Sequence, residues 1–375
     1  MTRGCGIKLN DSLILEPQRL TSPTVKVRRL GYIAIIPSLV SDREISPKTL
    51  EQNLVGWAKQ NRSFLRLYSS KLPVANIKRS PLTGEITNPD AARRYLETCR
   101  ELGFITRLRK VQISKIGRVI SIIPERDNPF ELSIGKLFII LKRLLEKDYD
   151  VLKTIHKILL RGEADEIDFF RRELQRILSK KIEMAAQMND FYLIDKLKKS
   201  LKSIQSWESA ERYYRENIKA PRLEWMLDLQ FLAFWNKRSN TFRLMDNLDV
   251  FFEKEVMSYE WLQDIYPYIF SKFYSGVFKK KMEQWPNLSP KEKIGILENL
   301  LNNSMQMFKT VTDLDRISAD EFFEYSLASL IQNNDIAAGL SDLEKDLTNF
   351  VASGELKFRY VKTVSKADRG YILRI

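Results

Sequence analysis

The chain has 375 residues, of which 62 are Lys or Arg and 48 are Asp or Glu, so its formal net charge at pH 7 is +14. Its hydrophobic content of 44% is ordinary for a globular protein and argues against a chain that is disordered throughout. One histidine excludes metal centres built from several histidines. The two cysteines, Cys5 and Cys99, are too few for a disulfide framework and fit a reducing cytoplasm.

The positive charge is concentrated in the first third of the sequence. Residues 1–125 contain 22 basic and 10 acidic side chains, whereas the remaining 250 residues contain 40 and 38. Charge confined to one region predicts a polyanionic partner there. Apolar runs such as Tyr32 to Val40 are far shorter than the roughly 20 residues of a membrane span. We therefore expect a cytoplasmic protein without a membrane partner.

The N-terminal region has weak β patterns followed by one clear helix. Residues 24–28 and 32–36 favour strands, and the second of these is apolar enough to require burial. The basic pair Arg28 and Arg29 is either an arm that contacts phosphates or part of a strand, and we favour the strand. Residues 47–61 predict a helix with one apolar side. Residues 62–87 carry several cations, including Lys78 and Arg79, and no helix is identified in them.

Residues 88–124 predict a helix followed by two strands. Asn88 is a suitable helix cap, Pro89 suits the first helical position, and apolar residues then recur at helical spacing. Gly103 stands where a helix ends in the left-handed conformation. The runs 104–113 and 119–123 favour strands, which predicts a turn around Lys115 and Gly117. Helix, glycine, strand, basic turn and strand form the second half of a winged helix-turn-helix unit.

The same pattern recurs twice further along the chain. Residues 220–232 align with residues 94–105, with Leu223 matching Leu96 and Gln230 replacing Gly103, and short strands follow at 233–235 and 241–244. A third copy is predicted from a helix at 319–332, a helix from Ser341 to Ala352, and strands at 356–361 and 371–375. Internal repetition of this kind indicates repeated structural units. Between the copies, residues 132–218 and 247–310 predict helices with mixed charges, whose aromatic residues favour core packing over base stacking.

Over these three stretches the chain resembles the winged helix-turn-helix superfamily, and no narrower family. The resemblance implies a mainly α fold with small β-wings, in which tandem winged-helix domains are joined by helical segments. We predict a basic winged-helix domain at 1–128, a helical segment with a second unit at 129–256, and a helical segment with a third unit at 257–375. The resemblance also implies that the protein binds nucleic acid, as many members of the superfamily do.

The predicted function is therefore non-enzymatic binding of duplex DNA, as a regulator or as the DNA-recognition subunit of a larger complex. Arg93, Arg94 and Arg100 on the helix would enter the major groove. The phosphate contacts would come from the strand and the wing, together with two cations ahead of the helix: Arg107, Arg109, Lys110, Lys115, Arg118, Lys78 and Arg79. The alternative is a structural domain whose arginines are merely solvated.

Two other functions are considered. The helix of the third copy contains Asp342, Glu344 and Asp346, which suits a protein partner better than phosphate and favours an adaptor subunit of a DNA-maintenance or defence complex. A metal-dependent nuclease would need carboxylates and a lysine, for which Glu355-Leu356-Lys357 offers a weak match. His156 lies in an apolar helical run and is interpreted as structural. We predict no catalytic residue, no metal and no cofactor.

Overall fold

The computed structural model describes residues 13–20, 27–40, 44–72, 84–107, 109–162, 166–205, 214–236, 241–308, 316–363 and 369–375. Within these ranges the chain is mainly helical, with fourteen α-helices. They are α1 Leu30–Leu39, α2 Pro47–Gln60, α3 Arg62–Lys71, α4 Pro89–Glu101, α5 Lys115–Ile122, α6 Ile134–Lys147, α7 Tyr149–Arg161, α8 Glu166–Gln187, α9 Phe191–Gln205, α10 Ala220–Asp228, α11 Tyr266–Phe278, α12 Pro290–Phe308, α13 Ala319–Ser329 and α14 Leu340–Ala352.

The strands of the described residues are short and form four small sheets. They are β1 Ile105–Arg107, β2 Val111–Ile113, β3 Leu232–Asn236, β4 Thr241–Leu244, β5 Glu283–Gln284, β6 Arg316–Ser318, β7 Ile336–Ala337, β8 Phe358–Val361 and β9 Tyr371–Arg374. β1 pairs with β2 and β3 with β4, both antiparallel, and β5 pairs with β7 in parallel. The last sheet has the order β6-β9-β8. The expected fold class is confirmed at this level, a mainly helical chain with small sheets.

The strand predicted at residues 32–36 is wrong, because these residues lie in α1. Leu30 to Pro37 are all buried, so the helix is apolar on every side and shows no helical period in its sequence. The predicted helix at 47–61 is confirmed as α2, and Ser46 accepts a hydrogen bond from the Thr49 amide, 3.0 Å away. A further helix, α3, follows directly after Asn61 and was not predicted.

The features predicted for the start and end of α4 are confirmed. The Asn88 side chain accepts a hydrogen bond from the Ala91 amide at 2.9 Å, and Gly103 has φ +81°. The strand arrangement after it is wrong. Residues 105–113 form the β1–β2 hairpin by themselves, and residues 115–122 form α5. Gly117, which suggested a turn, instead lies inside a helix that packs closely on the hairpin.

The first two copies of the predicted pattern share their backbone hydrogen bonds. After α4 the amide of Phe104 donates to Cys99 O at 3.0 Å, and after α10 the amide of Phe231 donates to Met226 O at 2.8 Å. The hairpins close alike, since Phe104 O and Phe231 O each accept one further amide, from Ser114 and Met245. Gln230 takes the glycine's position with φ +59°. We call α4 with β1 and β2 the first repeat and α10 with β3 and β4 the second.

A third helix–hairpin, formed by α14, β8 and β9, lies at the end of the chain, and we call it the third repeat. Gly354, with φ +79°, follows its helix as expected, and the hairpin partner β9 also pairs with β6. Ahead of the first repeat there is an equivalent single β-bridge, in which Ile45 and Val111 of β2 exchange backbone hydrogen bonds of 3.1 and 2.8 Å. In the first and third repeats, the segment that pairs with the last strand of the hairpin lies before two or more helices in the sequence.

The repeats pack together through one continuous cluster of buried apolar side chains, which extends from Ile14 to Ile372. Helix α6 and the first two turns of α7 lie within it and are almost entirely buried. The middle helices predicted from periodicity correspond to α6, α7, α8 and α9, whereas the helix expected at 247–256 is only a short turn of 3₁₀ helix, Leu248–Phe251. The division of the chain at residues 128 and 256 stays a prediction.

Candidate nucleic-acid interface

The exposed side of α4 carries the arginines predicted for the major groove. Arg93 and Arg100 are exposed, while Arg94 is half-buried and lies 3.3 Å from the Glu97 carboxylate. Arg93 forms an ion pair with Asp90 one turn earlier. These positions follow from the amphipathic spacing of the helix, because Tyr95 and its apolar neighbours turn the opposite face into the core.

The turn of the β1–β2 hairpin adds two exposed cations. Arg109 and Lys110 both lie in this turn, and Lys110 Nζ is 3.1 Å from Glu44 Oε2. Hydrogen bonds from Lys110 and then Gln112 lower the pKa of the Glu44 carboxyl. Arg107 lies on β1 opposite Val111, and only its backbone belongs to the described part of the chain. The sequence predicted one strand over residues 104–113 and a turn around Lys115. In the structure the turn lies within that predicted strand, between β1 and β2.

A shallow depression connects the helix to the hairpin. Its walls are formed by Glu51 of α2, by Arg93 and Arg100 of α4, and by Ile105 and Val111 of the two strands. The α4 cations thus border the same concave surface as the hairpin. Arg100 at this surface and Arg109 in the hairpin turn are exposed, and neither forms an ion pair with a carboxylate of the described residues.

Lys115 and Arg118 do not lie on a wing, which corrects the sequence prediction. Both belong to α5 and point toward α13, where Lys115 Nζ is 3.4 Å from Asp320 Oδ2 and Arg118 is 2.5 Å from Glu321 Oε1. Glu321 is buried, and burial raises the pKa of its carboxyl against the opposing effect of Arg118. These two cations join the first repeat to the C-terminal part of the chain. Lys78 and Arg79 lie outside the described residues.

The acidic side chains of α14 have partners within the chain. Asp342 accepts a hydrogen bond of 2.6 Å from the Tyr268 hydroxyl. Lys362 lies 2.9 Å from Glu344, and Lys293 lies 3.0 Å from Asp346. Two of the three charges, those of Glu344 and Asp346, are therefore balanced by lysines of the same chain.

A buried ionic cluster that the sequence did not reveal connects the start of α1 to α10 of the second repeat. Arg29, which was assigned to a phosphate-contacting arm or a strand, is fully buried, and its NH1 atom is 2.9 Å from both Glu224 and Asp228. Tyr68 and the amide of Leu30 donate to Asp228 at 3.0 and 2.7 Å. Burial raises the pKa of Asp228 to about 6 despite the opposing charge of Arg29. Arg29 and Asp228 are 199 residues apart, so no local pattern could show the pairing.

The structure provides little for the alternative of metal chemistry. Among the described residues there is no group of three His, Cys, Asp or Glu side chains that could hold a metal ion. Glu355 is exposed and accepts a hydrogen bond of 2.6 Å from Ser353. His156 is buried against the Phe252 ring, with centroids 4.7 Å apart, and burial lowers its pKa to about 4.

In the comparison with known proteins, no protein-family model, no curated protein and no solved structure matches the chain. In the part of the chain that the structure describes, no helix combines the length and the apolar character needed to cross a bilayer.

Proposed function

We propose that the protein binds duplex DNA through its first repeat, with α4 in the major groove and the β1–β2 turn on the phosphate backbone. The observation behind this proposal is that the exposed arginines of α4 and the two strands of the hairpin line the same depression. A helix of this diameter fits the major groove, and arginine forks suit both guanine edges and phosphates. The concentration of positive charge in residues 1–125 supports the same choice of partner.

We also propose that the first and third repeats are winged-helix units. In each, a segment that precedes the helices pairs with the last strand of the hairpin, as strand β6 in the third repeat and as a single β-bridge at Ile45 in the first, and this order matches the topology of that fold. In the first repeat α4 would be the recognition helix and the β1–β2 turn the wing. The wing would then carry Arg109 and Lys110 rather than Lys115 and Arg118.

The proposed contact residues are Arg93, Arg94, Arg100, Arg107, Arg109 and Lys110, together with Lys78 and Arg79 from the segment before α4. Lys115 and Arg118 are left out because their cations face Asp320 and Glu321. For the same kind of reason we do not propose an acidic docking surface on α14. An enzyme is not proposed either, since no set of described side chains suggests a reaction.

The test is binding of a labelled blunt duplex, followed by fluorescence anisotropy over a range of salt concentrations. A variant with Arg93, Arg100, Arg109 and Lys110 changed to Glu should lose tight binding. If these four side chains each neutralise one phosphate, the slope of log K against log salt should become shallower by about 3.6.

A control variant carries the same change of charge elsewhere. Lys291, Lys345, Lys357 and Arg359 are exposed in the C-terminal part of the chain, and their replacement by Glu should leave most of the binding intact. Equal loss in both variants would mean that only net charge matters. Absence of duplex binding by the unaltered protein would refute the proposal outright.

A further inference from the structure

The helical hairpin of α8 and α9 ends in exposed aromatic side chains. Phe191 and Tyr192, the first two residues of α9, are 77% and 80% exposed, and Met188 in the preceding turn is 36% exposed. Aromatic rings on a monomer are normally at least partly covered, because each ring has a large apolar surface that is unfavourable in water. We call Met188, Phe191 and Tyr192 the aromatic tip.

The turn that carries the aromatic tip is well defined. Asn189 has φ +56°, and the amides of Asn189 and Asp190 donate to the last carbonyls of α8, Ala186 O and Ala185 O, both at 3.1 Å. The Asp190 carboxylate then accepts the amide of Leu193 at 2.9 Å and caps α9. The two rings are therefore presented from a compact turn between two helices.

The shaft of the hairpin is fixed to the rest of the molecule by buried contacts. Lys181 of α8 is buried, with Nζ 2.7 Å from Asp150 Oδ2 of α7. On α9, Leu197 is fully buried, and Lys196 Nζ is 2.9 Å from Glu16 Oε2. Because both helices are anchored behind it, the aromatic tip would lose little conformational freedom when it contacts a partner.

On α9, lysines lie on the same faces of the helix as the two aromatic rings. Lys198 and Lys202 follow Phe191 by seven and eleven residues, which brings them to the same face of the helix, and Lys199 stands in the same relation to Tyr192. Lys198 and Lys202 are exposed, and neither forms an ion pair with a carboxylate in the described part of the chain. They lie about 10 and 16 Å from the ring along the helix axis. A stacked strand spans those distances with about three and five nucleotides.

The hairpin also borders the proposed DNA-binding repeat. A cleft of about 400 Å³ is lined by Glu101, the last residue of α4, by Lys147 of α6, by Lys196 and Ser200 of α9, and by Tyr259. Arg100, one of the proposed contacts, is the neighbour of Glu101. The cleft therefore places the shaft of the hairpin beside the end of α4, on the side of α9 that carries Lys196 and Ser200.

We infer that the aromatic tip stacks on unpaired bases, so that the protein binds single-stranded nucleic acid next to the duplex held by α4. The rings would stack on bases and the lysines of α9 would contact the phosphates of the same strand. Charge complementarity favours this partner over an uncharged protein surface, because exposed lysines and a single carboxylate, Asp195, follow the rings along the helix. The inference rests on the proposed function, since it assigns the duplex to the first repeat.

The experiment uses three labelled DNA probes: a blunt duplex, the same duplex with a single-stranded thymine tail, and a thymine oligomer. We expect the unaltered protein to bind the tailed duplex more tightly than the blunt one. Changing Phe191→Ala together with Tyr192→Ala should weaken binding to the tailed duplex by about tenfold or more and leave binding to the blunt duplex unchanged. Leu160→Ala, which removes another exposed apolar side chain, from α7, should change neither.

A conservative variant gives a direct reading of stacking. Phe191→Trp should keep the affinity for the tailed probe, and its added fluorescence should be quenched by that probe and not by the blunt duplex. A Leu160→Trp variant should show no such difference. Because these side chains are mostly exposed, the melting temperatures of all variants should match that of the unaltered protein.

The outcomes separate the inference from the proposed function. Equal affinity for blunt and tailed probes, or an unchanged preference after loss of both rings, would overturn the inference while duplex binding through α4 stands. A dimer that the double alanine variant dissociates, with DNA binding unaffected, would assign the tip to contacts between copies of the chain and would overturn it too. Failure to bind any probe would overturn both proposals.

Discussion

His156 is buried as a neutral ring, which makes stability depend on pH. It is 3% exposed, lies against Phe252, and has its pKa lowered to about 4, chiefly by burial, with Lys153 and Lys157 adding to the effect and Asp249 opposing it. In the unfolded chain the ring takes up a proton near pH 6.5. Its contribution to stability is therefore complete above pH 6.5 and is lost as the pH falls toward 4, by up to about 3 kcal/mol.

We predict that His156→Phe, which keeps the stacking on Phe252 but cannot be protonated, loses this pH dependence. Urea unfolding should be measured for both proteins between pH 7 and pH 4.5. The free energy of unfolding of the unaltered protein should fall relative to that of the variant as the pH decreases.

The unaltered protein must be compared with the His156→Phe variant because Asp228 changes stability with pH in the opposite direction. Its folded pKa of about 6 lies above its ordinary value of 3.8, so its contribution is complete below pH 3.8 and is lost as the pH rises through 6. The two effects partly cancel in the unaltered protein, and only the difference between proteins isolates His156. A difference that does not change with pH would contradict the assignment of a buried neutral ring.

At the scale of elements, local chemistry was predictable and packing was not. The cap at Asn88 and the left-handed Gly103 are dictated by neighbouring residues, and the sequence located both. The turn between β1 and β2 was missed because the sequence that separates them, Leu-Arg-Lys, contains no glycine, proline or asparagine, whereas Gly117 resembled a turn residue. Position 117 requires glycine for another reason: a Cβ there would lie 2.0 Å from the backbone oxygen of Phe104.

The close approach of α5 to the hairpin gives the second prediction of stability. Gly117→Ala should destabilise the protein by about 3 kcal/mol, because the added methyl group must push α5 away from the backbone of the hairpin. Chemical denaturation monitored by circular dichroism would measure it.

Gly56→Ala in α2 is the matched control. Nothing lies within 4 Å of a Cβ at that position, so alanine should stabilise the helix by about 0.5–1 kcal/mol. If both alanine variants were equally stable, α5 would not lie as close to Phe104 as the structure has it.

At the scale of the whole molecule, buried ion pairs join segments that are distant in sequence. Asp148 at the start of α7 receives two hydrogen bonds from Arg222 of α10, 2.8 and 3.0 Å long, and a third from the amide of Leu20. Neither side chain of the pair is more than 3% exposed. The sequence predicted the helices that carry these charges, but mixed charges on a helix look alike whether they face water or each other. This is why the assembly of the repeats could not be predicted.

The pair provides a test of how the repeats are held together. Arg222→Met should destabilise the protein by about 3–5 kcal/mol, because it leaves the Asp148 carboxylate buried without its cation. Adding Asp148→Asn to that variant should restore part of the stability, since the amide keeps an acceptor for Leu20 and removes the uncompensated charge. Lys199→Met, which removes an exposed ion pair with Asp195, should cost less than about 1 kcal/mol.

The direction of the second step decides what the pair does. If the charge itself is buried, the double variant must be more stable than Arg222→Met alone, even though it contains one more substitution. If it is less stable, Asp148 reaches water once its partner is lost, and α10 is not packed against α7 as tightly as their ion pair implies. Urea unfolding of the three variants measures both steps, and one cooperative transition in each would indicate that the repeats unfold together, as a continuous core requires.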